Sequence, residues 1–246
     1  MSTEFNDLEF NLAYPDGVET TYWSWARNSI LYQTIKKRNL YKGSILEIGC
    51  GRGLIIKYLS DRNIDCFGVE LAKTTPVKGV EKKIITGQDA FSFNEEFAKK
   101  FNTIMLLDVL EHIEDDYGFL KSIADKYSNT SHLLITVPAK KEIWTNFDDF
   151  YGHFRRYDIN ELVALVNKAG FDIIDVRYVF KSVYLIIKLL KKFKVDRTLE
   201  SPVPKNGIMK LLHRIIAICF IVEYWIMPKR IYGSSILCVA TRKINN

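Results

Sequence analysis

The chain has 246 residues, of which 48% are hydrophobic and 26% charged, an ordinary composition for a globular protein with room for one α/β domain and a full core. There is no Cys-x-x-Cys pair and no cluster of histidines, so neither a disulfide framework nor a zinc site is indicated. The thiols are expected to lie in the core of a protein kept in a reducing compartment; they are Cys50, Cys66, Cys219 and Cys238.

The amino-terminal segment predicts a cytoplasmic location followed by a helix. Residues 1–16 are polar and acidic and contain no apolar signal region. Residues 17–42 contain a helical pattern that ends in a basic cluster, which predicts a helix in front of the first strand. Near its start, Trp23 and Trp25 either anchor this helix to the core or help to cover a ligand.

The stretch Ile45–Gly53 is the centre of the predicted fold. A short run rich in β-branched residues is followed by glycines at alternate positions, Gly49, Gly51 and Gly53. This pattern is typical of a buried parallel strand that runs into a turn where a ligand contacts bare backbone. A dinucleotide site is disfavoured, because the third glycine comes one place too early for Gly-x-Gly-x-x-Gly. A glycine-rich turn without a ligand is the alternative.

The pattern Glu-x-Gly-x-Gly-x-Gly, which begins at Glu47, resembles the first motif of the class I S-adenosylmethionine-dependent methyltransferases. The resemblance covers about residues 20 to 180 and the last strand. It implies S-adenosyl-L-methionine as the cofactor and S-adenosyl-L-homocysteine as the product. It also implies that the turn, including Cys50, approaches the methionyl group, that Glu47 helps to hold the cofactor's ammonium, and that Trp23 and Arg27 close over the cleft.

The next two strands each lead to a carboxylate. Residues 64–69 are an apolar run that ends at Glu70, whose two oxygens can accept both hydroxyls of a ribose. Residues 83–86 predict the third strand. The resemblance implies that Asp89 binds the adenine amino group, with further cofactor contacts from Leu71, Ala90 and Phe91.

The fourth strand, residues 102–107, runs into Asp108–His112. This run resembles the fourth-strand motif of the ubiquinone and menaquinone methyltransferases, where it lies under the transferred methyl group. The resemblance places Asp108 and Val109 at the cofactor, and a carboxylate near a positively charged sulfonium is physically reasonable. His112 is either a catalytic candidate or a satisfied turn histidine.

After the fifth strand, residues 132–137, the segment 139–157 has no clear period and is too long for a passive connection. Its Asp-x-x-x-Gly-His-x-Arg-Arg-Tyr run resembles the signature of a methyltransferase subgroup, type 11/23-like, found with genes for cell-surface glycans and lipid-linked sugars. His153, or else His112, is the candidate base near neutral pH. The alternative is an ion-pair cluster at the entry of the next helix. The candidate acceptor residues are Asp148, Tyr151, Arg155, Arg156 and Tyr157.

About fifty residues separate the sixth strand, 171–179, from the last, 235–241. Two apolar stretches, 183–193 and 208–227, predict helices that charged residues make unsuitable as membrane spans. Segment 181–232 contains 11 Lys or Arg against 3 Asp or Glu. Such a basic amphipathic hairpin indicates a surface for anionic lipid headgroups or a lipid-linked phosphate. A lid over the acceptor and a homodimer interface are alternatives, whereas nucleic acid is disfavoured.

We therefore predict an α/β fold with a Rossmann-like seven-stranded sheet, mostly parallel with an antiparallel last strand, helices on both faces and a helical insertion before the last strand. One domain is expected, with a leading helix (17–42), a cofactor-binding core (43–180), the insertion (181–232) and the last strand (233–246). The predicted activity is methyl transfer to an oxygen or nitrogen of a small-molecule, lipid-linked or glycan acceptor, with no metal required. The alternatives are an idle cofactor-binding subunit and a peripheral membrane scaffold.

Overall fold

Seven apolar runs form the strands of one sheet in the computed structural model, which describes residues 10, 12–199 and 202–243. In chain order these strands are β1 (Ser44–Ile48), β2 (Cys66–Glu70), β3 (Ile84–Thr86), β4 (Phe101–Leu107), β5 (His132–Pro138), β6 (Phe171–Val179) and β7 (Ser235–Arg242).

The strand order is β3-β2-β1-β4-β5-β7-β6. Strands β1 to β5 pair in parallel, and β7 runs antiparallel to both β5 and β6. The predicted fold class is confirmed. Helices cover both faces of the parallel strands, so the runs are apolar on both sides. The order reverses between β1 and β4, where the carboxyl ends of the strands open a crevice, the usual ligand position in such sheets.

The longer helices lie where the sequence places them, with ends set by local capping, whereas the short helices Glu95–Ala98 and Asn146–Phe150 were not predicted. Thr21 accepts a hydrogen bond from the Ser24 amide at the start of the leading helix, and Asp158 and Glu161 form the predicted capping box. The helices are α1 (Tyr22–Lys37), α2 (Leu54–Ser60), α3 (Glu95–Ala98), α4 (Asp116–Lys126), α5 (Asn146–Phe150), α6 (Ile159–Lys168), α7 (Lys181–Lys192) and α8 (Gly207–Ile226).

The segment 139–157 is more regular than expected. It contains a 3₁₀ turn, Lys141–Ile143, and helix α5, which opens with a capping box between Thr145 and Asp148. Each of these elements is about one turn long, so neither produces a periodic pattern in the sequence.

The predicted insertion is confirmed as the helix pair α7 and α8. Helix α8 packs along α1, where the Trp225 indole donates to Gln33 (2.6 Å) and Tyr224 and Thr34 share a hydrogen bond of 3.1 Å. The Glu223 carboxylate accepts from the backbone amide of Ser182 (2.9 Å) and so ties the two helices together. In the described part of the chain, no helix has the length and apolar character needed to cross a bilayer.

Candidate functional site

A cavity of about 680 Å³ opens at the carboxyl ends of β1, β2 and β4. Its walls come from the glycine turn, helix α1, the segment 139–157 and the insertion. Fifteen of the predicted site residues line it: Trp23, Arg27, Gly49, Gly51, Glu70, Leu71, Asp89, Ala90, Phe91, Asp108, Val109, His112, Tyr151, His153 and Arg156. Six others lie outside its lining: Glu47, Cys50, Gly53, Asp148, Arg155 and Tyr157.

The glycines of the turn have different tasks. Gly49 and Gly51 line the cavity with φ values of 75° and 55°, a left-handed region that side chains with a Cβ rarely adopt. Gly53 also has a positive φ, but a Cβ there would overlap the side chain of Ile84 on β3. Gly53 is therefore a packing glycine between helix and sheet, whereas Gly51 lines the cavity and lies against the Tyr14 side chain.

Cys50, predicted at the cofactor, points away from the cavity instead. Its thiol is buried against Gly68 of β2, where a Cβ would come within 2.6 Å of the Cys50 sulfur. Burial raises the pKa of Cys50 well above its usual value, so the thiol is neutral. Only the backbone of Cys50 belongs to the turn.

Glu70 joins the end of β2 to the glycine turn. One carboxylate oxygen accepts from the Gly51 amide (2.7 Å) and the other from the Ala72 amide (3.1 Å). Each carboxylate oxygen has more than one acceptor site, so these bonds leave room for ribose hydroxyls. Glu70 therefore positions the turn and faces the cavity at the same time.

Three side chains form a charged floor beneath the cavity. Arg27 pairs with Asp108 (2.7 Å), and Asp108, held at φ 60°, also accepts from Thr136 (3.0 Å). Glu47 is 3% exposed, and one of its oxygens lacks a partner among the described residues. Burial raises the pKa of Glu47, opposed by the nearby Arg27. Glu47 lies behind the residues that line the cavity, whereas Arg27 and Asp108 belong to the lining.

The predicted adenine site is a mostly apolar recess. Asp89 accepts from the Phe91 amide (2.9 Å), and the Phe91 ring packs edge-on against Phe119 with centroids 5.6 Å apart. The Ala90 carbonyl accepts from the buried Tyr127 hydroxyl (2.6 Å). These contacts fix the turn after β3 and leave the Asp89 carboxylate at the cavity.

Trp23 and Trp25 differ in their surroundings. The Trp23 ring packs on Phe180 at 4.3 Å, which anchors α1 to the core, and it also lines the cavity. Trp25 is 36% exposed, and the expectation that it anchors α1 in the core is wrong. The spacing of two residues along a helix turns the two rings to opposite sides.

Tyr14 is a cavity residue that the sequence analysis missed. Its hydroxyl lies against Gly51, and its backbone carbonyl accepts from Arg52 (3.0 Å). Burial raises the pKa of Tyr14. The only signal was a pair of aromatic residues four places apart, Phe10 and Tyr14, in a segment interpreted as a polar tail.

A chain of buried polar groups leads to His153, which also lines the cavity. The His153 Nδ1 lies 2.9 Å from Asp148, which is fully buried and accepts two bonds from Arg156 at 2.7 and 3.0 Å. Burial alone would raise the pKa of Asp148, but the bonds from His153 and Arg156 outweigh it and lower that pKa. Asp148 is therefore an anion that fixes the orientation of the His153 ring.

His112 lies beside His153, with ring centroids 4.8 Å apart. Burial, together with the neighbouring His153, lowers the pKa of His112 to about 4, and His112 also forms a hydrogen bond with the Tyr151 backbone. A neutral imidazole with so low a pKa is a weak base. Of the two predicted bases, only His153 has a ring nitrogen held by a buried carboxylate.

Arg155 and Tyr157, predicted to contact the acceptor, do not reach the cavity. Arg155 pairs with Asp116 (2.8 Å) and donates to the Glu114 carbonyl (2.6 Å). The Tyr157 hydroxyl donates to Asp116 (2.8 Å). Both fasten the segment 139–157 to the start of α4, so the ion-pair alternative describes Arg155, whereas Tyr157 contributes a neutral hydrogen bond.

Glu111 is a second residue that the sequence analysis left without a role. It lines the cavity beside His112, yet it is only 1% exposed and one of its oxygens has no partner in the described part of the chain. Burial and the nearby Asp108 raise its pKa well above the usual value. The Leu-Glu-His pattern contained the residue, but nothing in the sequence showed that it was buried.

The insertion contributes the outer wall of the cavity. Helix α7 supplies Val183 and Ile187, and the following loop supplies Arg197. The backbone of Arg197 exchanges two hydrogen bonds with the Asn146 side chain, at 2.9 and 3.0 Å, and its guanidinium lies 4.6 Å from the Phe147 ring. The insertion therefore has the position of the predicted lid.

Comparison with solved structures shows the same fold. A SAM-dependent methyltransferase from Archaeoglobus fulgidus is 15% identical, with a TM-score of 0.50 and coverage of 87% of this chain and 94% of that one. A SAM-dependent methyltransferase from Thermotoga maritima is 18% identical, with a TM-score of 0.50 and coverage of 92% of this chain and 91% of that one. The magnesium protoporphyrin IX methyltransferase of Synechocystis PCC 6803 with bound SAH is 13% identical, with a TM-score of 0.51 and coverage of 99% of this chain and 90% of that one. Comparison with curated proteins found no match.

At the level of sequence, the family described as a methyltransferase domain matches residues 22–176, which include the glycine turn, Glu70, Asp108 and His153. That match extends over more than half of the chain and over the strands that build the cavity. The chain therefore belongs to this methyltransferase family, and it is a class I S-adenosylmethionine-dependent methyltransferase with S-adenosylmethionine as its cofactor.

Proposed function

We propose that this enzyme methylates an oxygen or nitrogen of an acceptor held at an anionic membrane surface, with a lipid-linked molecule such as a glycan precursor as the favoured class. One observation carries the proposal. The insertion that forms the outer wall of the cavity also bears a long apolar and basic outer surface.

At the cofactor end of the cavity, the proposed task of the side chains is to bind and orient S-adenosylmethionine. Bound S-adenosylmethionine supplies a methyl group on a positively charged sulfur. We assign the ribose to Glu70 and the adenine to Asp89, both of which line the cavity. The Asp108 carboxylate, held by Arg27 and Thr136, adds negative potential for a cationic ligand. An in-line displacement gains most from such positioning.

At the acceptor end, we assign the proton of the acceptor to His153. With Nδ1 held by Asp148, the other ring nitrogen is left to accept a proton as the new bond forms. Asp148 stabilises the resulting imidazolium, and Arg156 keeps the Asp148 carboxylate ionised and in place.

The surface of α8 supports a membrane role. Six large apolar side chains are spaced at three or four residues along the helix, a seventh follows directly after the last of them, and all seven are 46% to 75% exposed. An exposed apolar stripe of this length indicates a binding surface, and basic side chains within the same segment suit anionic headgroups. The seven residues are Ile208, Leu211, Ile215, Ile218, Val222, Trp225 and Ile226.

The charge of the segment 181–232 argues for lipid rather than for a second copy of the chain. Its 11 Lys or Arg against 3 Asp or Glu would be brought together by a twofold axis, and like charges would repel. An anionic membrane attracts the same charges.

Vesicle binding tests this surface. We expect the enzyme to float with phosphatidylcholine vesicles that contain phosphatidylglycerol, and to do so less at high salt. The double variant Leu211→Glu/Ile218→Glu should lower partitioning at least ~100-fold, because each change removes roughly 1.5–3 kcal/mol of apolar transfer. The matched control is Ile174→Glu, an exposed apolar residue on β6 outside the insertion. Equal flotation of the two variants, with a concentration-dependent dimer in solution, would contradict the proposal.

Cofactor affinity tests the assignment of Glu70. We expect Glu70→Ala to weaken S-adenosylmethionine binding by about 1.5–3 kcal/mol, because a charged hydrogen-bond acceptor for the ribose and for the Gly51 amide is lost. The control is Glu81→Ala, whose carboxylate also accepts from a backbone amide, that of Gly79, but lies outside the cavity. If calorimetry gives the same S-adenosylmethionine affinity for Glu70→Ala and Glu81→Ala, Glu70 does not bind the ribose.

The acceptor class is tested by incubating the enzyme with methyl-labelled S-adenosylmethionine and fractionated cell envelopes. Label is expected in the lipid-extractable fraction. Label only in water-soluble small molecules would overturn the membrane acceptor. Cofactor binding without label in any fraction would favour an idle cofactor-binding subunit, and vesicle binding without cofactor affinity would favour a scaffold.

A further inference from the structure

A carboxylate and two imidazoles meet at the acceptor end of the cavity. Glu111 and His112 follow β4, and His153 comes from the loop after α5. One potential ligand atom of each residue lies within 4.8 Å of those of the other two. We infer that Glu111, His112 and His153 form a binding site for a divalent transition-metal cation.

The spacing is close to that of a bound cation. Ligand bonds of about 2.0–2.2 Å place ligand atoms roughly 3–4 Å apart around a shared metal. The observed limit of 4.8 Å is somewhat longer, so the three side chains would move closer together when they bind a cation.

Glu111 supplies the strongest argument for a cation. It is 1% exposed, and its Oε2 has no hydrogen-bond partner in the described part of the chain. Arg27 and Arg156, the cationic side chains whose charges act on it, are already paired with Asp108 and Asp148. A buried carboxylate without a cation is unfavourable, so a positive charge at this point would be stabilised.

Both imidazoles are oriented as ligands usually are. The Nδ1 of His153 is held by the buried Asp148, and His112 is held by a hydrogen bond with the Tyr151 backbone. Metal-binding histidines typically use the second ring nitrogen in this way, because the bond fixes the ring and the tautomer.

The ligand set selects the kind of cation. Two nitrogens and one carboxylate suit the series from Mn²⁺ to Zn²⁺, whereas Mg²⁺ and Ca²⁺ prefer oxygen ligands. Three protein ligands leave coordination positions open, and all three residues line the cavity. An oxygen of an acceptor could therefore reach the cation.

One consequence rests on the proposed function, although the site itself does not. A cation at this position would lower the pKa of an acceptor hydroxyl, so that its proton is lost to water. In the metal-bound enzyme His153 would then be a ligand of the cation. Only in the metal-free enzyme would His153 take the proton of the acceptor itself.

The test is metal titration of the full chain after dialysis against EDTA, with Co²⁺ followed by visible absorption and Zn²⁺ and Mn²⁺ by calorimetry. We expect one site per chain and weaker binding of Mg²⁺. The variants Glu111→Gln and His153→Ala should each lower the affinity at least ~10-fold. The control His132→Ala, a histidine on β5 outside the cavity, should bind as the parent does.

Circular dichroism shows which variants are folded, and the near-isosteric Glu111→Gln keeps the test valid if His153→Ala does not fold. Equal affinity of Glu111→Gln and the parent, or binding lost only in His132→Ala, would overturn the inference. Activity is a separate readout. If a metal binds at this site but EDTA does not affect methylation, the site is supported and His153 is the group that takes the acceptor's proton. If the acceptor assay fails, the metal titration still tests the site.

Discussion

Replacement of Gly51 by valine is expected to remove measurable S-adenosylmethionine binding, a loss of at least about 100-fold or 2.8 kcal/mol. At φ 55° a β-branched residue is strained, and its Cβ would overlap the Tyr14 side chain. The valine must therefore displace Tyr14 or shift the turn, and either change disturbs the Gly51 amide that Glu70 holds. Calorimetry with S-adenosylmethionine measures the effect directly.

The control for this variant is Gly170→Val at the end of α6. Gly170 also has a positive φ, 98°, but nothing lies within 4 Å of a Cβ built there. It therefore carries backbone strain without a clash and lies outside the cavity. We expect both variants to melt at lower temperature and only Gly51→Val to lose the cofactor. A folded Gly51→Val protein with normal affinity would refute the glycine turn as the cofactor site.

Replacement of His153 by alanine is expected to lower turnover by roughly 10²–10⁴, the range for losing general acid–base catalysis. The structure adds a stability cost, because His153 is 8% exposed on its side chain and bonded to the buried Asp148. We expect the free energy of unfolding to fall by about 0.5–3 kcal/mol. Asp148 keeps both bonds from Arg156, so the fold should survive.

The measurement is turnover per folded molecule with cofactor affinity determined in parallel. Affinity should stay near that of the parent, since His153 is not among the residues assigned to the cofactor. His132→Ala is the matched control, a histidine removed from β5 away from the cavity, and it should keep full turnover. If His153→Ala were stable and fully active on its acceptor, the assignment of the acceptor's proton to His153 would be wrong and positioning alone would account for catalysis.

Membrane contact and methyl transfer are linked in this proposal through the insertion. Val183 and Ile187 of α7 face the cavity, while the stripe on α8 faces outward. Lipid binding would thus place the cavity wall at the bilayer surface. Loss of activity on vesicle-bound acceptor in Leu211→Glu/Ile218→Glu, without loss of cofactor affinity, is the result consistent with this arrangement.

The candidate site divides into a part that the sequence revealed and a part that it did not. The glycine turn and the strand-end carboxylates Glu70 and Asp108 could be predicted, because each follows directly on an apolar strand and parallel strands end at one edge. The sequence argued against a metal, since His112 and His153 lie in separate segments. Only the fold of residues 139–157, fixed by Arg155 and Tyr157, brings the two rings together.

The sequence by itself determined the seven strands, the longer helices between them and the insertion before β7, because local periodicity and capping fix these elements one at a time. Tertiary structure alone decided which way individual side chains face. It turned Gly53 and Cys50 into the core, placed Tyr14 on the turn, buried Glu111 without a partner and left the stripe on α8 exposed. The physical reason is that burial depends on contacts between residues distant in the chain, which no local pattern records.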